Sequence, residues 1–366
     1  MAIQKEIDVI IVGAGLSGLT AAYHLEQAGM SVAVLEARDR IGGRIHTVAD
    51  GQGTFDLGPT WFWPHQHNVI GMIQEFGLHH FQQYETGQLV FEQRPNVPPE
   101  RITPSWAQPL SYRIAGGMIT LVNALAERLE PSTIHFQQIV QSIIHTPDGN
   151  VSAYVQNSSG EEIAFTAKYI IVTLPPHLAA TTIAYSPPLL PDLLRAMCNT
   201  PTWMGEAMKV SLAYARPFWR DENLSGMAVS YVGPVQQFHD ATPADEAVGA
   251  LFGWVGNHGF GRSLSEHDRR LAVIEQAVRL FGDEAANPIH YSEINWEREP
   301  FTTNLNMANR VVATDHPQYG HPLLQQPQMA GRLWWATTEA SPIEGGYLDG
   351  AISIGRTVAE RIMSDR

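Results

Sequence analysis

The hexapeptide Gly13-Ala14-Gly15-Leu16-Ser17-Gly18 places glycines at its first, third and last positions. That spacing suits the binding of a diphosphate. Gly13 permits a tight turn, Gly15 lets backbone N–H groups approach a pyrophosphate, and Gly18 lets a helix pack closely on a strand. A helix opening at this turn would meet the phosphates with its positive end. Glu36 can accept hydrogen bonds from both hydroxyls of an adenosine ribose and would repel a 2′-phosphate, which disfavours NADP. The elements that must hold these residues surround them. Asp8-Val9-Ile10-Ile11-Val12 is a β-branched strand, a helical pattern runs over residues 19–28, and Ser31-Val32-Ala33-Val34-Leu35-Glu36 supplies a second strand. Together they make a βαβ unit of about 30 residues. In that context the glycine pattern points strongly to a dinucleotide site, whereas the glycines alone would indicate only a turn.

Ala37-Arg38-Asp39-Arg40-Ile41-Gly42-Gly43-Arg44 follows Glu36 directly. A second glycine pair beside arginines suits a pyrophosphate and a ribityl chain lying against backbone, with guanidinium forks on the phosphates. This is a flavin pattern. Further along stand Asp56-Leu57-Gly58, Gly116-Gly117, Pro175-Pro176, Lys209 with Pro217-Phe218-Trp219, Trp296-x-x-Glu299-Pro300-Phe301, Ala336-Thr337-Thr338-Glu339 and Gly345-Gly346-Tyr347-Leu348-Asp349-Gly350-Ala351. In kind and order these segments resemble the flavin-dependent amine oxidase family, monoamine oxidase-like, of which this chain would be a short member.

The resemblance implies an α/β fold with a discontinuous Rossmann-type (GR2-like) FAD-binding domain over residues 1–70, 113–190 and 305–366. It implies an inserted α+β substrate domain over residues 71–112 and 191–304. It also implies FAD contacts from Gly13, Gly15, Gly18, Glu36, Arg38, Gly42, Gly43, Arg44, Gly58, Val140, Glu339 and Gly346. Of these, Val140 would meet adenine through its backbone and Glu339 the ribityl or pyrophosphate region. Lys209 resembles the family's flavin-facing lysine, which holds a water against N5 and assists oxygen reactivity. Tyr347 matches one of two aromatic side chains that flank the substrate nitrogen. The helix beginning near Tyr347 would aim N–H groups at the flavin ring and stabilise the negative charge of its reduced form.

The family pattern breaks at Asn306, where the second aromatic should stand, and at Asn304, where a glycine should precede it. Trp61, Trp63, Phe301 or Trp335 could supply a replacement wall. No cysteine lies near Asn304 to Asn306, so FAD is expected to be bound non-covalently. Only a short helix, residues 68–77, is evident between Gly58 and Gly116, where the familiar enzymes insert a long helical piece. A shorter lid implies a more open pocket, bulky substrates, or a lid from a partner subunit in a possible homodimer.

Composition bounds the rest. The 366 residues carry 23 basic and 37 acidic side chains, a formal charge of −14, so phosphate attraction cannot drive binding to nucleic acid. With 44% hydrophobic and 16% charged residues a large core can form. Cys198 is the lone cysteine, which excludes an internal disulfide framework and a cysteine-built metal site. His65, His67, His79 and His80 lack helical ligand spacing, so no metal is expected. No apolar run approaches a membrane span, and Lys5-Glu6-Ile7-Asp8 leads straight into a strand without a signal-peptide layout. A soluble, cytoplasmic protein is the expectation.

Beyond the first unit, short alternating segments at residues 133–137, 140–145, 151–156 and 162–166 predict an antiparallel meander, followed by a separate strand at 168–173. Residues 207–214 predict a strand within an otherwise irregular stretch from 185 to 217, residues 119–129 and 266–281 predict helices, and residues 333–336 predict a last strand before a C-terminal helix. The function these readings support is oxidation of an amine: hydride leaves the carbon next to nitrogen for flavin N5, and oxygen reoxidises the flavin to give hydrogen peroxide. A desaturase or porphyrinogen-oxidising enzyme acting on C–C or ring C–H bonds is the alternative, and a flavin-binding protein without turnover a further one.

Overall fold

A computed structural model describes residues 7–51, 53–105, 109–157, 159–256, 260–303 and 315–365. The glycine turn joins the strand Ile7–Val12 to the helix Leu16–Gln27, and the chain returns through the strand Val32–Leu35, parallel to the first with Ile10 opposite Ala33. A helical crossover is what a parallel return requires. Both strands belong to an eight-stranded sheet that also takes Ile134–His135, Gln138–His145, Val151–Asn157, Glu162–Val172, Ala184–Ser186 and Leu333–Trp335.

Glu162–Val172 is one continuous strand, where a break was expected near residue 167. Its first half has one exposed face and pairs antiparallel with Val151–Asn157, placing Ala153 opposite Phe165. Its last residues, Tyr169-Ile170-Ile171-Val172, are buried on both faces and run parallel to Ile7–Val12 and to Leu333–Trp335. The change from alternating to continuous apolar sequence reflects that change of neighbour, because a parallel strand covered by helices has no wet face. The expected meander is likewise shorter. Ile134–His135 leaves it for the far edge, parallel to Val32–Leu35 with Val34 opposite Ile134.

The second sheet has seven strands in the order His290–Asn295, Met208–Tyr214, Gly249–Val255, Val235–Asp240, Leu224–Ser230, Gln88–Glu92 and Glu100–Ile102. The helix Glu266–Phe281 lies on it and buries Val273, Ala277, Leu280 and Phe281 in a core with Val210, Leu212 and Phe238.

One helix was not expected, and the packing of two bears on the expected domain bounds. Pro191–Asn199 is helical within a stretch read as irregular, because Pro191 stands in the first turn, where the missing N–H costs nothing. Its Leu193 and Met197 join the core of the eight-stranded sheet, as do Val69, Met72 and Ile73 of the helix His67–Glu75. The segments expected to open the substrate domain, from residues 71 and 191, therefore begin with packing on the dinucleotide side. No helix among the described residues is long and apolar enough to cross a membrane.

Candidate active site

A cleft of about 720 Å³ is lined from both sheets, and most of the predicted positions meet there. Gly13 has φ of +106°, and a Cβ on it would lie 2.7 Å from Thr173 Oγ1. Gly15 is the N-cap of the helix Leu16–Gln27 and offers no side chain to its free N–H groups, which leaves them for an anion. Gly18 does not line the cleft. It lies beneath the turn, where a Cβ would overlap the Gly13 carbonyl oxygen. Gly42 and Gly43, with φ of +100° and +58°, fold a second glycine loop onto the first, the Gly42 N–H donating to Ala14 O at 2.9 Å. Arg38, Gly58, Val140 and Gly346 also line the cleft.

Glu36 is 4% exposed, and its carboxylate is aimed by two backbone donors, Ala14 N–H at 2.8 Å on Oε2 and Arg38 N–H at 2.9 Å on Oε1. Each oxygen keeps a lone pair for a ribose hydroxyl. The Arg38 guanidinium lies over Phe301, 5.4 Å from the ring centre, and donates to Thr302 Oγ1 at 3.0 Å. Arg44 faces the cleft and is held from behind by Glu339 in a bidentate pair of 2.6 and 3.1 Å. Glu339 is fully buried and takes a third bond from Thr337 Oγ1, so this acid positions Arg44 instead of lining the cleft. A bare helix N-terminus, a buried carboxylate and a second glycine loop flanked by guanidinium groups fit the pyrophosphate, ribose and ribityl portions of FAD.

Lys209 reaches the same cleft from the second sheet. The strand Met208–Tyr214 is buried along its whole length, so the lysine does not sit on a solvated face. At 2% exposure it donates to Gly58 O at 2.8 Å and to Thr60 Oγ1, and its ammonium nitrogen stands 4.0 Å from the centre of the Phe252 ring. Burial pushes its pKa down to about 7; the Asp56 carboxylate opposes the shift and Arg113 adds to it. Trp254, directly opposite Lys209 across the antiparallel ladder, lines the cleft beside it.

Trp61, Trp63, Phe301 and Tyr347 are all cleft walls. Trp335 is not. It is buried at 2% exposure in the eight-stranded sheet, opposite Val172 and edge-on to Tyr185 at 6.0 Å. Its place beside the cleft-forming loops in sequence does not carry over into space, because its strand pairs parallel with the wholly buried end of Glu162–Val172 and its ring packs against Tyr185. Asn304 and Asn306 lie outside the described residues.

The family model for flavin containing amine oxidoreductase matches residues 16–105 and 103–363. The chain belongs to the flavin-containing amine oxidoreductase family. It is an FAD-dependent oxidoreductase of the amine oxidase type. An L-amino acid dehydrogenase of Synechocystis sp. is 26% identical over 460 residues, covering 99% of this chain and 96% of that relative. The flavin-containing amine oxidase B of Sus scrofa is 26% identical over 463 residues, covering 98% and 86%. A putrescine oxidase structure with bound putrescine superposes with a TM-score of 0.83 at 22% identity over 98% of this chain and 99% of the other, which shows a shared fold. Aligned spans of 460 residues or more against a chain of 366 mean that these relatives carry stretches this family member lacks.

Several cleft residues of this amine oxidoreductase escape sequence reading. Trp203 and Met204 come from a proline-flanked stretch without periodicity, and Met204 has φ of +57°. Trp254 arrives through strand register, and edge-on to it at 5.3 Å lies His239, which lines a neighbouring smaller pocket and not this cleft. His239 stacks on Phe252 at 5.3 Å and is held neutral, its pKa pushed down to about 4 by burial first and by Lys209 second. Among the described residues no group of His, Cys, Asp and Glu could hold a metal ion.

Proposed function

We propose that this enzyme oxidises an amine, taking a hydride from the carbon next to nitrogen. One observation carries the reading: the buried Lys209 of one sheet and the Gly13–Gly18 turn and Glu36 of the other open into a single cleft, with Tyr347 on its wall. When bound, FAD supplies the two-electron acceptor at N5 and passes the electrons on to dioxygen, which leaves as hydrogen peroxide.

The chain's own residues bind, orient and tune. Glu36 takes the adenosine ribose, the bare N-terminus of Leu16–Gln27 takes the pyrophosphate, and Val140 stands where adenine would lie. Arg38 and Arg44 lie beside the second glycine loop. Tyr347, Trp63 and Trp61 make an apolar, aromatic wall on which a neutral amine can settle, and such a wall disfavours the ammonium form unless a π face compensates it. Lys209 has two of its nitrogen's positions occupied by Gly58 O and Thr60 Oγ1. In this reading its remaining N–H, beside the Phe252 ring, would hold a water, and the charge that Lys209 carries below pH 7 favours negative charge developing on dioxygen. Cys198 lies on the helix Pro191–Asn199 and does not line the cleft, which supports non-covalent FAD.

Anaerobic mixing of the holoenzyme with primary, secondary and polyamines tests this reading. At least one amine should bleach the flavin, and acid should release intact FAD into the supernatant. Flavin left oxidised by every amine while a porphyrinogen or another C–H donor reduces it would replace amine oxidation with the C–C or ring C–H alternative.

A further inference from the structure

Two rings set the plane of Tyr347. Trp63 meets it edge-on at 5.7 Å and 81°, and His316 lies face-on at 4.5 Å and 2°. Trp63 and Tyr347 line the cleft, whereas His316 does not, so the imidazole backs the tyrosine from outside. His316 is itself fixed. Its Nε2 stands 3.0 Å from Gly345 O, which makes that nitrogen the protonated donor. Tyr319 and Trp203 close on it edgewise at 5.6 and 5.3 Å. The Tyr319 hydroxyl accepts from Trp203 N–H and donates to Pro201 O, each at 2.8 Å. Trp203 lines the cleft again. One imidazole outside the cleft thus ties together two of its walls from distant parts of the chain.

We propose that His316 is a positioning residue of the amine site. By stacking on Tyr347 it holds that ring's plane and its separation from Trp203, and so sets the approach of the substrate carbon. The inference rests on reading Tyr347 as the wall that meets the amine. Its weight grows because Asn306 stands where the family pattern has a second aromatic, which leaves Tyr347 with a larger share of orienting the substrate. A reacting centre displaced by about 1 Å can lose about a hundredfold in rate, so a ring that tilts by part of that distance is felt.

The test compares His316→Leu, which keeps bulk and loses the flat stack, with His316→Phe, which keeps the stack and loses the hydrogen bond. In anaerobic mixing of the holoenzyme with an amine that reduces it, His316→Leu should slow flavin reduction by about tenfold, and His316→Phe should restore it to within about threefold. Reoxidation by oxygen and FAD content should be unchanged in both. Difference near-ultraviolet circular dichroism of the oxidised holoenzyme against wild type, to which the Trp63, Trp203 and Tyr347 cluster contributes, should change in His316→Leu and recover in His316→Phe. Unaltered dichroism in His316→Leu, or a reduction rate equal to wild type, would overturn the proposal. So would a Phe variant as slow as the Leu variant, or FAD loss in either. A wild-type enzyme that no amine reduces would instead sink the amine reading, and the dichroism would still judge His316.

Discussion

Lys209 and the substrate amine face opposite demands on protonation, and their pH responses should diverge. The amine must be neutral to give up hydride, so flavin reduction should accelerate as pH rises toward the substrate's pKa. Lys209 has its pKa lowered to about 7 by burial, and in the proposed role it would help oxygen as a cation. Reoxidation should therefore slow as pH rises through about 7, visible when each half-reaction is followed alone by stopped flow. A reoxidation rate flat from pH 6 to 8, in a range chosen to bracket that pKa of about 7, would remove the ammonium from the oxygen step. Glu339 makes a second residue-level claim. Glu339→Gln leaves Arg44 without its buried counter-charge, and losing one partner of a buried pair costs about 3–5 kcal/mol. The Arg44 side chain is 29% exposed, so the low end of that range should appear in denaturant unfolding of the cofactor-free protein, together with weaker FAD binding. Residues of this kind differ in how they show themselves in sequence. Gly13, Gly15, Gly18 and Glu36 are legible because a backbone constraint forces their spacing. Trp254 is not, because only the ladder opposite Lys209 brings it to the cleft. Trp335 misleads for the same reason, since the sheet and not its neighbours in sequence decides where it points.

At the scale of elements, the strand–turn–helix at the start of the chain leaves no room for a methyl group. Gly18→Ala would drive a Cβ into the Gly13 carbonyl oxygen, so it should destabilise by about 1–3 kcal/mol and weaken FAD binding more than tenfold, read by thermal unfolding and by flavin titration. Gly71→Ala is the matching control. It lies in the helix His67–Glu75, where an added Cβ meets nothing within 4 Å, and it should stabilise by about 0.5–1 kcal/mol. If both variants lost FAD alike, the close packing of helix on strand would not be what holds the cofactor turn. Sequence periodicity locates the first βαβ unit and the helix Glu266–Phe281, since each carries a clean pattern over its length. It splits Glu162–Val172 in two because the strand changes from half-wet to wholly buried midway. It passes over Gly249–Val255 altogether, a strand almost wholly buried on both faces and so without alternation.

At the scale of the molecule, the site exists only where two sheets meet. The eight-stranded sheet carries the glycine turns and Glu36, the seven-stranded sheet carries Lys209, and residues 57–60 run between them. Trp296, which follows the strand His290–Asn295 of the second sheet, donates to Leu57 O at 2.9 Å and Lys209 to Gly58 O at 2.8 Å, so the joining segment is tied to the seven-stranded side. The order of motifs along the chain conveys the family and its cofactor, yet it cannot convey this meeting, which depends on how far each strand is buried and on which neighbour it pairs with. The most direct measurement is therefore made on Lys209→Met, with reduction by an amine and reoxidation by oxygen timed separately. The account predicts that reoxidation slows by at least about tenfold while reduction stays within about threefold of wild type. Equal slowing of both half-reactions, or unchanged reoxidation, would contradict a lysine that reaches across from the second sheet to serve the oxygen step.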